Sequence, residues 1–564
     1  MAGLLHPDHI FMKAKNIILL FIVTIISLAA LAANFPLENV VPGLKGVGKT
    51  VFSGTKVEDF PVEVLGVLPG SGVVGDLILI KVGGKALELG GIAEGMSGSP
   101  VYIDGQLLGA ISYGFNDYDH ALGLVTPIGE MEKLLALQPK KDELIIEDER
   151  LRSLATPIYV TGLGERSRTY LEKQLGYSLA QNNLGQVKAE EIRLEPGSAL
   201  TAALVTGDIT VGSFGTLTTI YEDGKFLAFG HPLFNRGKTT YLAGSSIIHT
   251  IIKGQPNTYK LASYSSKVGL ISEDRGAGVL GTTKETPVMI PVEITINEKD
   301  LGRAIITKAE IIPDNMLFAK LATSAVLEGF DRGLDRLGAG TAKVKFSIKG
   351  KGLPYTLERS NFFYSYVDIS ALSVSELAEA LDLLLYNDYY DVELSEVSVH
   401  ADITENRKTA VITNATATST IAKPGDDIFI LIQIRPFRGE QETISVNLPI
   451  PKDVTPGKVK VTIRPGTSIS SIDESSVNVS DKLELQTDER KGTPLSQEAK
   501  DWEKLLKDFV SREKNNEIVI EFYPPVDEES YLESDVELPP PVQVKVDTEY
   551  VMEGEANVDL EIML

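Results

Sequence analysis

The sequence predicts a mainly β protein of several domains, and three observations carry that expectation. Short apolar or alternating runs recur at the roughly 8–12-residue spacing of barrels and sandwiches rather than of parallel sheets. Glycine and proline, 50 and 28 of the 564 residues, punctuate those runs. Helical periodicity is confined to a few isolated segments. Together they predict a β-barrel region, then a small β-sandwich of immunoglobulin-like type, then a short α+β tail.

Taken in order, Lys13 and Lys15 precede an apolar run from Ile17 to Ala33 that ends in small residues, with Ala30-Leu31-Ala32 as an A-x-A match. Residues 1–33 therefore read as a secretory signal cleaved near Ala32 or Ala33, with an uncleaved membrane anchor through residues 17–33 as the alternative. Met12 opens a more ordinary signal. Either way the bulk of the chain is expected outside the cytoplasm, secreted or held on the outer face of a bacterial cytoplasmic membrane. Residues 34–137 form the first β region. Its strand candidates are Thr50–Gly54, Val62–Leu68, Asp76–Val82, Leu107–Tyr113 and Leu122–Val125, with a turn at Pro69–Gly72, a hairpin signal at Gly83-Gly84 and a closing helix over Pro127–Leu137.

Residues 138–200 combine a charged linker (138–152) with a connecting α/β segment whose helix runs near Arg168–Leu175. The second β region, 201–350, carries strands from about Leu204 to Ile306 and a closing helix over Asn315–Leu337. In the helical connector, 351–395, Ser373-Val374-Ser375-Glu376 reads as a capping box. Strand signals at Thr409–Thr413, Asp427–Ile434, Thr443–Leu448 and Lys458–Ile463 suit a sandwich over 396–466. The tail, 467–564, opens on a polar linker. It continues in a helix whose Trp502, Leu505, Leu506, Phe509 and Val510 share one face, and then in β-prone segments around the acidic run 527–537, read as a solvated loop.

Composition narrows the function classes. A net charge of −24 without basic clusters argues against nucleic acid and anionic membrane surfaces as partners. The absence of cysteine removes disulfides, thiol nucleophiles and thiolate metal sites, and suits an exported protein of a bacterium that does not rely on disulfides. The six histidines show no HExxH or paired spacing of a zinc hydrolase.

The chemistry points to Gly95-Met96-Ser97-Gly98-Ser99-Pro100. A serine between glycines, after an apolar run and before a strand, presents a nucleophile beside backbone N–H donors, and the glycines allow the tight positive-φ path that turns such donors into an oxyanion hole. Ser97 is the expected nucleophile, with its own N–H as a donor and Gly95 and Gly98 shaping the hole. A serine hydroxyl needs a base. His231, behind the apolar run Phe226–Phe229 and Gly230, is the first candidate; His120 in a polar loop and His249 in a β-like run are read as a loop residue and a structural residue.

Three blocks carry a resemblance. GGIAEGMSGSPVYIDGQLLGAISYGF (90–115) resembles the serine-bearing segment of the SpoIVB-type serine peptidases. GTLTTIYEDGKFLAFGHPLFNRG (215–237) is similar to the histidine-bearing segment, and GLISEDRGAGVLG (269–281) to the segment C-terminal to that histidine. The blocks run over roughly residues 40 to 300. The resemblance implies a double β-barrel of chymotrypsin-like type and cleavage of a peptide bond through an acyl-enzyme, without metal or cofactor. The substrate would be a protein or peptide, the chain itself among the candidates.

Two departures accompany it. In that family the histidine precedes the serine, whereas Ser97 precedes His231 here; triad geometry does not depend on chain order. The family's acid position falls on Val82, which cannot orient an imidazole. Asp274 is the favoured third member, with Asp76, Glu88 and Asp208 as alternatives. The rival reading is a catalytically inactive envelope scaffold or peptide-binding protein that keeps the fold.

Overall fold

The computed structural model describes residues 34–72, 75–115, 119–137, 157–181, 187, 192–254, 258–466, 495–525 and 540–563. The signal or anchor expected at 1–33, the linker at 138–152, most of the polar linker opening the tail and the acidic run at 527–537 lie outside them. The protein is mainly β, as expected, and divides into two compact units: residues 1–162 with 177–289, and 163–176 with 290–564.

The first unit contains two rings of strands. The first ring comprises β1 (Lys45–Val51), β2 (Val57–Gly72), β3 (Gly75–Val82), β4 (Pro100–Ile103), β5 (Gln106–Gly114) and β6 (Leu122–Pro127), closed in the order β1-β2-β3-β6-β5-β4. Alternation along these strands sends Phe60, Val62, Val64, Ile78, Ile80, Val101 and Ile111 inward, and that shared core closes the sheet on itself. Four of the five strand candidates have their counterparts; Thr50–Gly54 meets β1 only at Thr50 and Val51. The turn expected at Pro69–Gly72 instead stays within β2, where the pairing with β3 shifts register between Leu68 and Gly72. Gly83-Gly84 is no hairpin: it opens a short helix, α1 (Gly84–Glu88). The closing helix forms as α2 (Ile128–Glu132), prolonged by a tighter turn over Lys133–Ala136.

After β7 (Ile158–Thr161) and β8 (Leu179–Gln181), which pair in parallel, comes the second ring. Its strands are β9 (Ala199–Gly207), β10 (Thr210–Ile220), β11 (Lys225–Ala228), β12 (Gly237–Ile252), β13 (Tyr259–Arg275) and β14 (Gly278–Thr282). They pair as β9-β12-β13-β14-β11-β10, and β10 returns to β9. The first unit is thus a double barrel. The second ring ends at Thr282, short of the Ile306 expected, because β10 returns to β9 and closes the ring without the next two strands.

Those strands, β15 (Ile290–Glu298) and β16 (Arg303–Ile311), belong to the second unit. There β17 (Gly340–Lys351), β18 (Leu357–Ser365) and β19 (Glu393–Thr404) extend them in the order β18-β17-β19-β15-β16. Two helices pack together in this unit: α3 (Glu165–Leu175), stopped by Gly176 at φ 72°, and α4 (Asn315–Leu334), whose first amides are capped by Asp314. Arg166 of α3 joins them through Asp331. After α5 (Ile369–Ser373), the helix α6 (Ser375–Leu385) appears where predicted. The capping box does not: the Ser373 hydroxyl makes no hydrogen bond among the described residues, and Glu376 is engaged by Arg359 and Asn361.

A two-sheet sandwich completes the unit. Its strands are β20 (Thr409–Ala417), β21 (Ile421–Ala422), β22 (Asp427–Pro436), β23 (Glu442–Pro449), β24 (Gly457–Pro465), β25 (Glu517–Phe522), β26 (Val542–Asp547), β27 (Val551–Glu553) and β28 (Ala556–Ile562). A four-stranded sheet, β23-β22-β20-β27, shares one apolar core with a five-stranded sheet, β21-β28-β24-β25-β26. The sandwich therefore draws on strands well beyond residue 466: Ile518, Ile520, Val558 and Leu560 fill the same core as Ile430 and Val461. The helix α7 (Leu495–Val510) buries Trp502, Leu506 and Phe509, the face its spacing predicts. No helix among the described residues is long and apolar enough to cross a membrane.

Candidate active site

The Ser97 loop is built from two consecutive tight turns. The Met96 amide donates to the Ala93 carbonyl (2.9 Å) and the Ser99 amide to Met96 (2.9 Å), a path that needs Gly95 and Gly98 at φ 90° and 95°. On one side β5 stitches the loop down: Gly98 N–H donates to Ile111 O (2.7 Å) and Ile111 N–H to Ser99 O (2.9 Å). On the other side β10 of the second barrel takes three loop carbonyls. Thr216 N–H donates to Ser97 O (2.8 Å), the Thr216 hydroxyl to Gly95 O (3.0 Å), and the Thr218 hydroxyl to Gly98 O (2.8 Å).

With its carbonyls held this way, the loop leaves two donors over. The amides of Gly95 and Ser97 donate to no acceptor among the described residues, and the Ser97 side chain is half-buried whereas its neighbours Met96, Gly98 and Ser99 are buried. Unused amides on a serine and two residues before it are the kind of donors from which an oxyanion hole is built.

The histidine segment starts where β11 ends. Phe229 (φ 69°) and Gly230 (φ 70°) both turn through left-handed backbone, which is costly for phenylalanine and marks a locally enforced path. Thr216 links this turn to the serine loop: it takes the Phe229 amide on its carbonyl (3.3 Å) while its own amide donates to Ser97. Thr126 of the first barrel donates its hydroxyl to Gly230 O (2.7 Å). His231 itself is wholly buried, packed against Tyr113 and Phe229 with ring centroids 5.8 and 6.4 Å away. Its Nδ1 lies 2.7 Å from the Pro232 carbonyl oxygen. A carbonyl only accepts, so this bond assigns the proton to Nδ1 and the lone pair to Nε2. Burial pushes the imidazole pKa down to about 4, with the Pro232 bond pulling weakly the other way.

Asp274 does not reach that ring. It is also fully buried, but its two oxygens accept the amides of Leu233 (2.7 Å) and Phe234 (2.8 Å), and Asn235 and Arg236 donate backbone bonds as well. Burial lifts its pKa, and those four amides pull it back. Asp274 thus fixes the loop C-terminal to His231, while the Pro232 carbonyl occupies the place at Nδ1 that a triad acid would take. Val82, at the family's acid position, is core of the first barrel; of the alternatives, Asp76 accepts the Gly70 amide (2.8 Å) and Glu88 ends α1. Asp208 is exposed at the β9–β10 turn. His249 is exposed, its Nε2 2.9 Å from the Ser263 hydroxyl.

Sequence reasoning missed Lys260. It lies on β13 with 1% of its surface exposed, beneath the serine loop: a Cβ on Gly95 would come within 3.2 Å of its side chain. Its Nζ donates to the Thr50 hydroxyl (2.7 Å), and it forms no ion pair among the described residues. Burial pushes its pKa down to about 7. Strand parity was the available signal, since Lys260 shares the inward face of β13 with Ala262 and Tyr264. A separate cleft of about 830 Å³ lies in the second unit between α3 and α4. Its charged groups largely answer one another, Arg166 with Asp331 and Asp368, and Arg332 with Glu328.

Residues 38–131 match the family SpoIVB peptidase S55. The match covers the first barrel and contains Ser97 and its loop; His231 and Asp274 lie beyond it. No curated protein and no solved structure matches the chain.

Proposed function

We propose that the chain is an exported serine peptidase that cleaves peptide bonds through Ser97. The observation that carries this reading is the pair of unused amides at Gly95 and Ser97 beside a partly accessible serine, in the segment that matches a peptidase family. In the proposed reaction Ser97 Oγ attacks the substrate carbonyl carbon and its proton passes to Nε2 of His231. The oxygen that becomes negative is received by the two amides. As the C–N bond breaks, His231 returns the proton to the leaving amine; water then repeats the sequence on the acyl-enzyme. The Pro232 carbonyl holds the imidazole tautomer, a weaker orienting group than a carboxylate because it does not offset the imidazolium charge.

The complete burial of His231 favours a second reading, an inactive scaffold that keeps the peptidase fold. Reaction of the purified extracytoplasmic chain with a fluorophosphonate probe separates the two. The peptidase reading expects labelling that disappears in Ser97→Ala and falls at least about 100-fold in His231→Ala. Labelling that persists in Ser97→Ala, or a folded wild type that stays unlabelled, overturns it in favour of the scaffold.

A further inference from the structure

Four buried hydroxyl and ammonium groups under the serine loop have no part in the reaction just described. Thr50 (0% exposed) on β1 accepts from Lys260 Nζ and, at 3.1 Å, from the Ser99 hydroxyl. Ser99 (0%) is also 3.5 Å from the Thr216 hydroxyl, and Thr216 (0%) donates to Gly95 O. These contacts form one line from Lys260 to the loop: Nζ, Thr50, Ser99, Thr216, the Gly95 carbonyl. A lysine is rarely this deeply buried without an acidic partner. Its stem adds a second contact, lying against Gly95 itself, where a Cβ would fall 3.2 Å from the lysine's Cβ and Cδ.

We propose that Lys260 is a positioning residue for the Ser97 loop: acting through Thr50, Ser99 and Thr216, it sets the Gly95 carbonyl and so the aim of the Gly95 and Ser97 amides, more firmly with its proton than without. Its meaning for catalysis rests on the peptidase reading; its effect on the loop does not. With the proton on, Nζ can only donate, and an ammonium–hydroxyl bond is about twice as strong as a neutral one. With the proton off, Nζ can accept from the Thr50 hydroxyl instead. The Ser99 hydroxyl has a single hydrogen and two acceptors in reach, Thr50 and Thr216, so the charge of Lys260 biases which of them it serves. Only Thr216 continues to Gly95.

The surroundings leave this lysine as the group in the line that titrates. Glu94, whose carbonyl takes the Lys260 amide (2.9 Å), has its carboxylate 3.4 Å from the Tyr159 hydroxyl of β7. Lys49, next to Thr50 on β1, pairs with Asp59 at 3.4 Å. On β12 and β13, His249, Tyr259 and Tyr264 lie within four residues of Lys260 or of its register partner Ile251, and Lys238, Tyr241, Lys267, Glu273, Asp274 and Arg275 lie farther along the strands. Burial alone accounts for the lowered pKa of about 7.

The test uses the full chain and two readouts. Hydrogen exchange of the segment over Gly95–Ser99, corrected for the intrinsic pH dependence, reports the loop whether or not the protein is an enzyme. In the wild type, protection should fall about tenfold as pH rises through about 7. The step should vanish in Lys260→Met and Thr50→Val and return in Thr50→Ser, which restores the hydroxyl. Fluorophosphonate labelling should lose a matching limb in the same variants and slow about tenfold in Lys260→Met. Equal protection of wild type and Thr50→Val at every pH overturns the proposal. A protection step in a protein that never labels leaves the positioning role standing and removes the peptidase reading; labelling without a step does the reverse. Should Lys260→Met fail to fold, the two Thr50 variants decide.

Discussion

At Gly98 a single methyl group would break the contact between the two barrels. A Cβ there falls 1.9 Å from the Thr216 carbonyl oxygen and 2.5 Å from the Phe229 amide, both backbone, and the residue sits at φ 95°. Gly98→Ala should cost more than about 2 kcal/mol through strain and displaced backbone together, and should end probe labelling even in molecules that remain folded. A lower denaturant midpoint with labelling lost is the expected pair of results. For His231 the expectation concerns pH: a base with its pKa near 4 keeps its lone pair through mildly acidic solution. The acid limb of the labelling rate should then lie well below the ordinary histidine value of about 6.5. A limb at about 6.5 would mean that the ring titrates in a solvated state different from this one. At this scale the positive-φ path of the serine loop was legible because glycines at fixed offsets have a conformational meaning. Asp274 was legible only as a candidate acid, since nothing local distinguishes a carboxylate that holds an imidazole from one that holds four amides of a loop.

At the scale of elements, the amphipathic stripe of α7 makes a sharp expectation. Trp502 is 3% exposed and its indole N–H donates to the Gly352 carbonyl (3.1 Å), while Leu506 and Phe509 lie on the same buried face. Arg359 on β18 reaches back to the carbonyls of Val510 and Arg512 at the helix's end. Trp502→Ala removes the largest side chain of that face and leaves the Gly352 carbonyl unpaired, at a cost of about 3–5 kcal/mol. Hydrogen exchange should show protection lost over residues 500–510 first, with the barrels of the first unit unaffected. Unchanged protection there would mean that the Arg359 bonds hold the helix without its apolar face. Periodicity read this helix correctly because its stripe is continuous. It read strands β2, β3, β5 and β6 for the same reason. It failed where partners decide: the run from Ile290 to Ile311 alternates like a barrel strand pair, but β15 pairs in parallel with β19 about a hundred residues away, and β25 to β28 join a core begun about a hundred residues earlier at Ala410. Alternation reports that a face is buried, not against what.

For the whole molecule, the two buried bases impose one sign on its response to acid. A lysine whose folded pKa lies near 7, against an ordinary 10.5, contributes stability that is fully present only above about 10.5 and is lost as pH falls toward 7. His231 continues the decline: its folded pKa near 4 lies below the ordinary 6.5, so stability is lost from about pH 6.5 down to 4, about 3 kcal/mol in all. Asp274 works in the opposite direction, because a raised carboxylate pKa favours the folded state at low pH. Its contribution grows as pH falls from the raised value toward 3.8 and so opposes the decline through the two bases. Lys260 and His231 together should draw stability down as pH falls from alkaline solution, against the self-repulsion of the net charge of −24, which by itself would favour a lower pH. Lys260→Met separates these contributions. It keeps the stem that packs on Gly95 and removes the titrating group, so its unfolding midpoint should be nearly flat between about pH 9 and 7, where the wild type loses about 2 kcal/mol. Below pH 6.5 the variant should decline in parallel with the wild type through His231. If the variant and the wild type trace parallel curves from pH 9 to 7, Lys260 titrates normally, and the buried ammonium must find a compensation that its single bond to Thr50 does not provide.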